Sequence, residues 1–138
     1  MLQISQRGTE MPLSPIRKLS PLAFAAEDRG IKVYRLNIGQ PDLPTPQCAI
    51  DAMKNVDIKI LAYSPSQGFK SLREKMMGYY AKYNIHITAD DIIITNGGSE
   101  AVLFAFMSTL NPGDEIIVPE PAYANYMSLA VSAGAVIC

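Results

Sequence analysis

The stretch Ile92–Glu100 reads IIITNGGSE, and it carries the strongest indication of the fold class. Its β-branched beginning is typical of a strand that is covered on both faces. Gly97 and Gly98 interrupt this run, and Ser99 is a hydroxyl residue of the kind that begins helices. The stretch therefore predicts a strand, a tight turn and the first turn of a helix.

The residues that follow continue the alternation. We predict a largely apolar, well-buried helix over about 99–110, a second strand over 115–118, and a second helix from about 123 that ends before Gly134. Residues 134–138 (GAVIC) are typical of the start of a buried strand, so we expect the 138 residues to be a piece of a longer chain. This order of elements predicts an α/β fold with a parallel sheet.

A broken helical segment up to about Gly30 and two further helices are predicted upstream of this alternation. Thr45 followed by Pro46 is typical of a helix start, and the turn residues 64–68 precede a longer helix. The apolar stripe of the longer helix consists of Phe69, Leu72, Met76, Tyr80 and Tyr83. Its basic residues, including Arg73, are expected to lie on a solvated face.

Composition excludes several classes of function. The chain has 12 Lys and Arg against 13 Asp and Glu, so it lacks the basic footprint of a nucleic-acid-binding protein. The longest apolar run, Ala101–Met107, is far shorter than the roughly 20 residues that span a membrane. The first ten residues have no signal-peptide core, so a cytoplasmic location is expected. With two cysteines and one histidine, neither a metal site nor a hydrolytic triad is predicted.

The turn between the predicted strand and helix is the best candidate for a binding site. Free N–H groups at the start of a helix, together with the helix dipole, favour an anion. The turn matches neither G-x-G-x-x-G nor the P-loop motif, which disfavours a dinucleotide or ATP. Tight turns of this kind also occur without any ligand, and these residues alone leave both interpretations open.

Five blocks of the sequence resemble the class I and II aminotransferases, in the order and spacing of that family. The blocks are NIGQPDLPTP at 37–46, Tyr63 with Gly68, Leu72 and Arg73, TNGGSEA at 95–101, NPGD at 111–114, and PAYANY at 121–126. The resemblance covers about residues 12–138. It implies the cofactor pyridoxal 5'-phosphate and transfer of an amino group between an amino acid and a 2-oxo acid.

The resemblance also implies a domain organisation. Residues 1–44 would be an N-terminal arm and the start of the small domain. Residues 45–138 would be the N-terminal part of the large, cofactor-binding domain of fold type I, which has a mostly parallel sheet with flanking helices. As given, that domain would be incomplete, so unpaired strand edges and an exposed apolar helix are expected.

The family's roles transfer to matching residues. Gly97, Gly98, Ser99 and Glu100 would hold the cofactor phosphate, and Tyr123 would stack on the pyridine ring. Ordinary packing is the alternative for Tyr123.

Two further residues have roles outside this turn. Tyr63 would reach the phosphate in the neighbouring subunit's site, which implies a homodimer, whereas the residues alone favour a half-buried strand tyrosine. Gly39 would lie beside the substrate carboxylate, where the lack of a side chain allows close approach. A simple turn glycine is the alternative there.

No catalytic residue is assigned. In the family, the lysine that forms the Schiff base, an aspartate on the pyridine nitrogen and a carboxylate-binding arginine all lie further along the chain. The chain as given is therefore expected to be inactive by itself. Two alternatives to an aminotransferase stay open: a fold-related lyase or synthase with the same cofactor, and a non-catalytic remnant.

Overall fold

The computed structural model describes residues 3–11 and 13–138. In these ranges the chain forms six α-helices, one short 3₁₀ turn and one two-stranded sheet. The helices are α1 (Gln6–Glu10), α2 (Ser20–Glu27), α3 (Gln47–Lys54), α4 (Lys70–Ala81), α5 (Gly98–Thr109) and α6 (Asn125–Ala133), the strands are β1 (Glu115–Ile116) and β2 (Val136–Ile137), and the 3₁₀ turn is Ala89–Asp91. Two compact units result: the described residues up to Gly39 with Asn96–Cys138, and Gln40–Thr95.

A β1–α6–β2 crossover organises the first unit. The two strands are parallel, with Glu115 opposite Val136 and Ile116 opposite Ile137. Parallel neighbours need a connection that returns the chain to the same end of the sheet, and α6 provides it. This arrangement confirms the α/β prediction.

Glycine ends α6 where the sequence predicts it. Gly134 has a φ of +87°, the left-handed conformation that terminates many helices. Its carbonyl accepts the N–H of Gly113 at 2.9 Å, just before β1 begins. The segments that enter the two strands are thereby bonded to each other.

Helix α5 packs against α6 but is far less buried than expected. Phe104 is 50% exposed and Met107 is 63% exposed, and α5 has no buried residue. Among the residues that the structure describes, α5 is therefore not well buried but is an exposed apolar helix, as expected for an incomplete domain, because α6 covers only one side of it. The first unit buries Ala130 and Ala135 instead.

The second unit contains α3, α4 and the 3₁₀ turn. The predicted strand at 92–95 is not formed: Ile92 is extended and buried, whereas Ile93 is largely exposed. A strand needs a neighbouring strand to bond, and no strand pairs with this segment among the described residues. The N–H of Ile94 donates instead to the carbonyl of Gln67 at 3.0 Å.

Arg73 is the buried residue of α4, which contradicts the expectation of a solvated position. Only 7% of Arg73 is exposed. Its Nη1 donates to the carbonyl of Ala89 at 2.5 Å and lies 3.5 Å from Oδ1 of Asp90. The guanidinium therefore joins α4 to the 3₁₀ turn through Nη1, whereas its buried Nε has no hydrogen-bond partner among the described residues.

Gly68 precedes α4 and allows a close approach to Ile94. Its φ is +88°, and an added Cβ would lie 2.5 Å from Cγ1 of Ile94. The block that resembles the family thus contains a glycine that both the backbone conformation and the packing require.

The 3₁₀ turn is capped by a carboxylate. Oδ2 of Asp91 accepts the backbone N–H of Thr88 at 2.8 Å and its hydroxyl at 2.7 Å. These hydrogen bonds hold the pKa of Asp91 below its ordinary value of 3.8, and the one from the backbone N–H has the larger effect.

We expect Gly68→Ala to lower the free energy of unfolding of the intact protein by about 2–4 kcal/mol, because it adds both left-handed strain and a clash with Ile94. Gly78→Ala is the matched control. Gly78 lies inside α4 with open space around it, so alanine there should stabilise by about 0.5–1 kcal/mol. Chemical denaturation monitored by circular dichroism measures both. Equal effects of the two substitutions would contradict the role assigned to Gly68.

The lowered pKa of Asp91 predicts an acid-sensitive contribution to stability. Since the folded pKa lies below the unfolded one, the contribution is complete above pH 3.8 and is lost as the pH falls through the folded pKa. Asp91→Asn should flatten the dependence of the unfolding midpoint on pH below about pH 4. Asp57→Asn, which removes an exposed carboxylate that bonds to none of the described residues, serves as the control. A steep acid limb that persists in the Asp91 variant would contradict this prediction.

Candidate functional site

The N-terminus of α5 offers unpaired hydrogen-bond donors. Gly97 precedes the helix with φ +86° and ψ 172°, and no side chain caps the helix through its N-cap residue. The N–H groups of Gly98, Ser99 and Glu100 have no acceptor among the described residues. They are the donors that no helix can bond internally, and they are available to an anion.

The side chain of Glu100 turns back toward the same loop. Its Oε2 accepts the backbone N–H of Asn96 at 2.5 Å. The hydroxyl of Ser99 has no hydrogen bond among the described residues, and Ser99 is exposed. A carboxylate and a free hydroxyl therefore accompany the three N–H groups.

A cavity of about 270 Å³ opens beside this helix start. It is lined by Gly98, Ser99, Val102, Tyr123, Tyr126 and Leu129. Tyr123 is 51% exposed, and its hydroxyl accepts a hydrogen bond from Nδ2 of Asn125 at 3.0 Å. The structure thus brings Gly98, Ser99 and Tyr123 together, with Gly97 and Glu100 in the adjoining turn.

Tyr126 supports Tyr123 from the side. The two rings meet edge to face, with centroids 5.6 Å apart and an interplanar angle of 84°. No role in the site was assigned to Tyr126, Val102 or Leu129 from the sequence. The spacing of three residues from Tyr123 to Tyr126 at the start of a helix was the available signal.

A second, larger cavity lies on another side of Tyr123. Its volume is about 720 Å³, and Pro15, Ile16, Glu120, Pro121, Ala122, Ala124 and Met127 line it together with Tyr123. The carbonyl of Ile16 accepts a hydrogen bond from Nδ2 of Asn37 at 2.8 Å. Residues near the start of the chain thus share a cavity wall with the loop before α6.

Gly39 lies in an exposed loop of the first unit. A Cβ added there would meet no atom within 4 Å, and its φ is outside the left-handed region. Neither packing nor backbone conformation in the described residues requires glycine at this position.

Tyr63 belongs to the second unit and is fully exposed. It makes no hydrogen bond or ring contact within the described part of the chain. The half-buried position that its local sequence favours is therefore wrong, because nothing described covers it.

Two other kinds of site were also sought. Residues 3–11 and 13–138 contain no group of three His, Cys, Asp or Glu side chains that could hold a metal ion. In the same ranges no helix combines the length and apolarity needed to cross a membrane.

Comparison with known proteins places these features in a family. Residues 31–138 match the family model described as aminotransferase class I and II. An aspartate aminotransferase of Thermotoga maritima is 33% identical, with 97% of this chain and 36% of the relative covered. A probable N-acetyl-LL-diaminopimelate aminotransferase of Bacillus subtilis is 37% identical, with coverage of 96% and 33%.

Solved structures agree with the sequence matches. An alanine aminotransferase from Pyrococcus furiosus superimposes with a TM-score of 0.89 at 34% identity, covering 98% of this chain and 35% of that one. The chain therefore spans about a third of the length of the relatives that it matches. Taken together, the matched blocks, the crossover fold and these similarities show that the chain belongs to the class I and II aminotransferase family.

Proposed function

We propose that these residues form part of the cofactor site of a pyridoxal-phosphate-dependent aminotransferase, which transfers an amino group between an amino acid and a 2-oxo acid. Family membership supports the reaction class. The observation that carries the cofactor assignment is the cavity in which the first turn of α5 and the ring of Tyr123 face the same space.

The helix start fits the phosphate of the cofactor. The unpaired N–H groups of Gly98, Ser99 and Glu100 can donate to phosphate oxygens, and the Ser99 hydroxyl can add a fourth bond. The dipole of α5 favours a negative charge at this end. Gly97 would shape the turn through its positive φ, so the backbone itself provides most of the binding.

The ring of Tyr123 fits the aromatic part of the cofactor. It is half exposed, and the hydrogen bond from Asn125 and the edge of Tyr126 fix its orientation. An aromatic face held in this way can stack on a pyridine ring. When bound, the cofactor would supply an electron sink for negative charge at the substrate's α-carbon.

This chain's own residues would bind and orient rather than move protons. The phosphate contacts fix one end of the cofactor, and Tyr123 limits the tilt of its ring. No catalytic role is assigned to any residue of this chain.

Tyr63 and Gly39 would complete the site from outside this cavity. The full exposure of Tyr63 is consistent with a contact to the phosphate in a second subunit, and hence with a homodimer. The open space around Gly39 is consistent with close approach of the substrate carboxylate. Residues 1–44 would be an arm and the start of the small domain, and residues 45–138 part of the large domain; both assignments rest on the family alone. A cytoplasmic location also remains a proposal.

Ser99→Ala tests the phosphate site. In the intact apoprotein we expect affinity for pyridoxal phosphate to fall roughly 10- to 100-fold, because a hydrogen bond to a charged group is lost. Isothermal titration calorimetry measures the change. Ser108→Ala lies on the same helix, removes a hydroxyl that bonds the carbonyl of Ala105, and should leave affinity unchanged.

The reaction itself is tested by product analysis of the native enzyme with amino acids and 2-oxo acids. Transfer of the amino group to the 2-oxo acid supports the proposal. Elimination or replacement of a substrate group without such transfer would favour the related lyase or synthase. Absence of both cofactor binding and transfer would contradict the proposed function.

Gly39→Ala tests the substrate contact. We expect KM for the amino acid to rise about tenfold, because a methyl group would occupy space needed by the carboxylate. Cofactor affinity should stay unchanged, and the free energy of unfolding should change by less than about 0.5 kcal/mol, since nothing surrounds the new Cβ. An unchanged KM would place the carboxylate elsewhere.

A further inference from the structure

We propose that Glu100 is a positioning residue with two opposing effects on the phosphate site: its carboxylate orders the turn, and its charge lowers affinity for a dianion. The inference rests on the proposed function, because it concerns the same turn. It extends that function by assigning to the Glu100 side chain a role separate from that of its backbone N–H.

The ordering effect follows from one hydrogen bond. The Oε2 of Glu100 accepts the backbone N–H of Asn96 at 2.5 Å. Gly97 and Gly98 lie between these two residues, and glycines have the largest backbone freedom to lose. This hydrogen bond closes a loop around both glycines. It therefore restricts the backbone conformations of the turn and holds the N–H groups that would bind the phosphate in fewer arrangements.

The opposing effect follows from charge. Glu100 lies in the first turn of α5, the end where the phosphate would bind. Glu100 forms no ion pair within residues 3–11 and 13–138. A carboxylate and a phosphate dianion would therefore repel each other across the same turn, and this repulsion is screened by salt.

Two substitutions separate these effects. Glu100→Gln keeps an oxygen acceptor for the N–H of Asn96 but removes the charge, whereas Glu100→Ala removes both. For pyridoxal phosphate binding to the intact apoprotein, we expect the Gln variant to bind about three- to tenfold tighter than the native protein at low salt. The gain should shrink as salt is raised, and the Ala variant should bind more weakly than the Gln variant.

Amide hydrogen exchange of the apoprotein gives a readout that does not depend on the cofactor. Exchange in a peptide that contains Asn96 should be as slow in the Gln variant as in the native protein and faster in the Ala variant. Glu115→Gln is the matched control, since it removes an exposed carboxylate from β1 without a side-chain hydrogen bond. It should change neither exchange at Asn96 nor affinity.

The outcomes decide the inference independently of the proposed function. Equal exchange in the Gln and Ala variants overturns the positioning role, and a Gln variant that binds no tighter than the native protein overturns the electrostatic one. If the native protein does not bind pyridoxal phosphate, the proposed function fails, while the exchange comparison still decides whether Glu100 orders the turn.

Discussion

A helix cannot form internal hydrogen bonds with its first N–H groups. In α5 these groups have no acceptor among the described residues, and the rest of the proposed site depends on this constraint. The positive φ of Gly97 directs the chain into the helix without a capping side chain. A Ser or Asp at that position would occupy the donors that a ligand needs. The turn therefore lacks the stabilisation that a capping side chain would give, but it keeps its donors available for the proposed phosphate contacts. The hydrogen bond from Asn96 to Glu100 restricts the turn in another way.

The second requirement is an aromatic ring at the right place, and the crossover provides it. Because α5 packs against α6, the loop that leads into α6 lies beside the first turn of α5, and Tyr123 shares a cavity with Ser99. The ring is held by Asn125 and Tyr126, the first two residues of α6. The residues of the proposed site come from two elements that are well separated in the sequence, and a single helix–helix contact joins them.

Local signals in the sequence predict those features that local physics determines. The start of α5 after Gly97 and the end of α6 at Gly134 follow from backbone conformations that glycine adopts easily. Features that depend on distant partners are not predictable in this way. The β-branched run at 92–94 lacks a neighbouring strand, and Arg73 is buried because a carbonyl 16 residues away accepts from it. For the proposed site, the family blocks predict Ser99 and Tyr123, which line one cavity, whereas the side-chain hydrogen bond of Glu100 is seen only in the structure.

The length of α6 has an evolutionary consequence. One end of this nine-residue helix directly follows the loop that contains Tyr123, and the other is joined through Gly134 to the segment that enters β1. A single inserted residue would rotate one end against the other by about 100° and advance it by about 1.5 Å. Either the pairing of Glu115 with Val136 or the orientation of the Tyr123 ring toward the cavity would be lost. Natural selection should therefore remove insertions and deletions in α6, whereas loops such as 55–62 should tolerate them. The length of α6 thus fixes the distance between the loop before it and the strand after it.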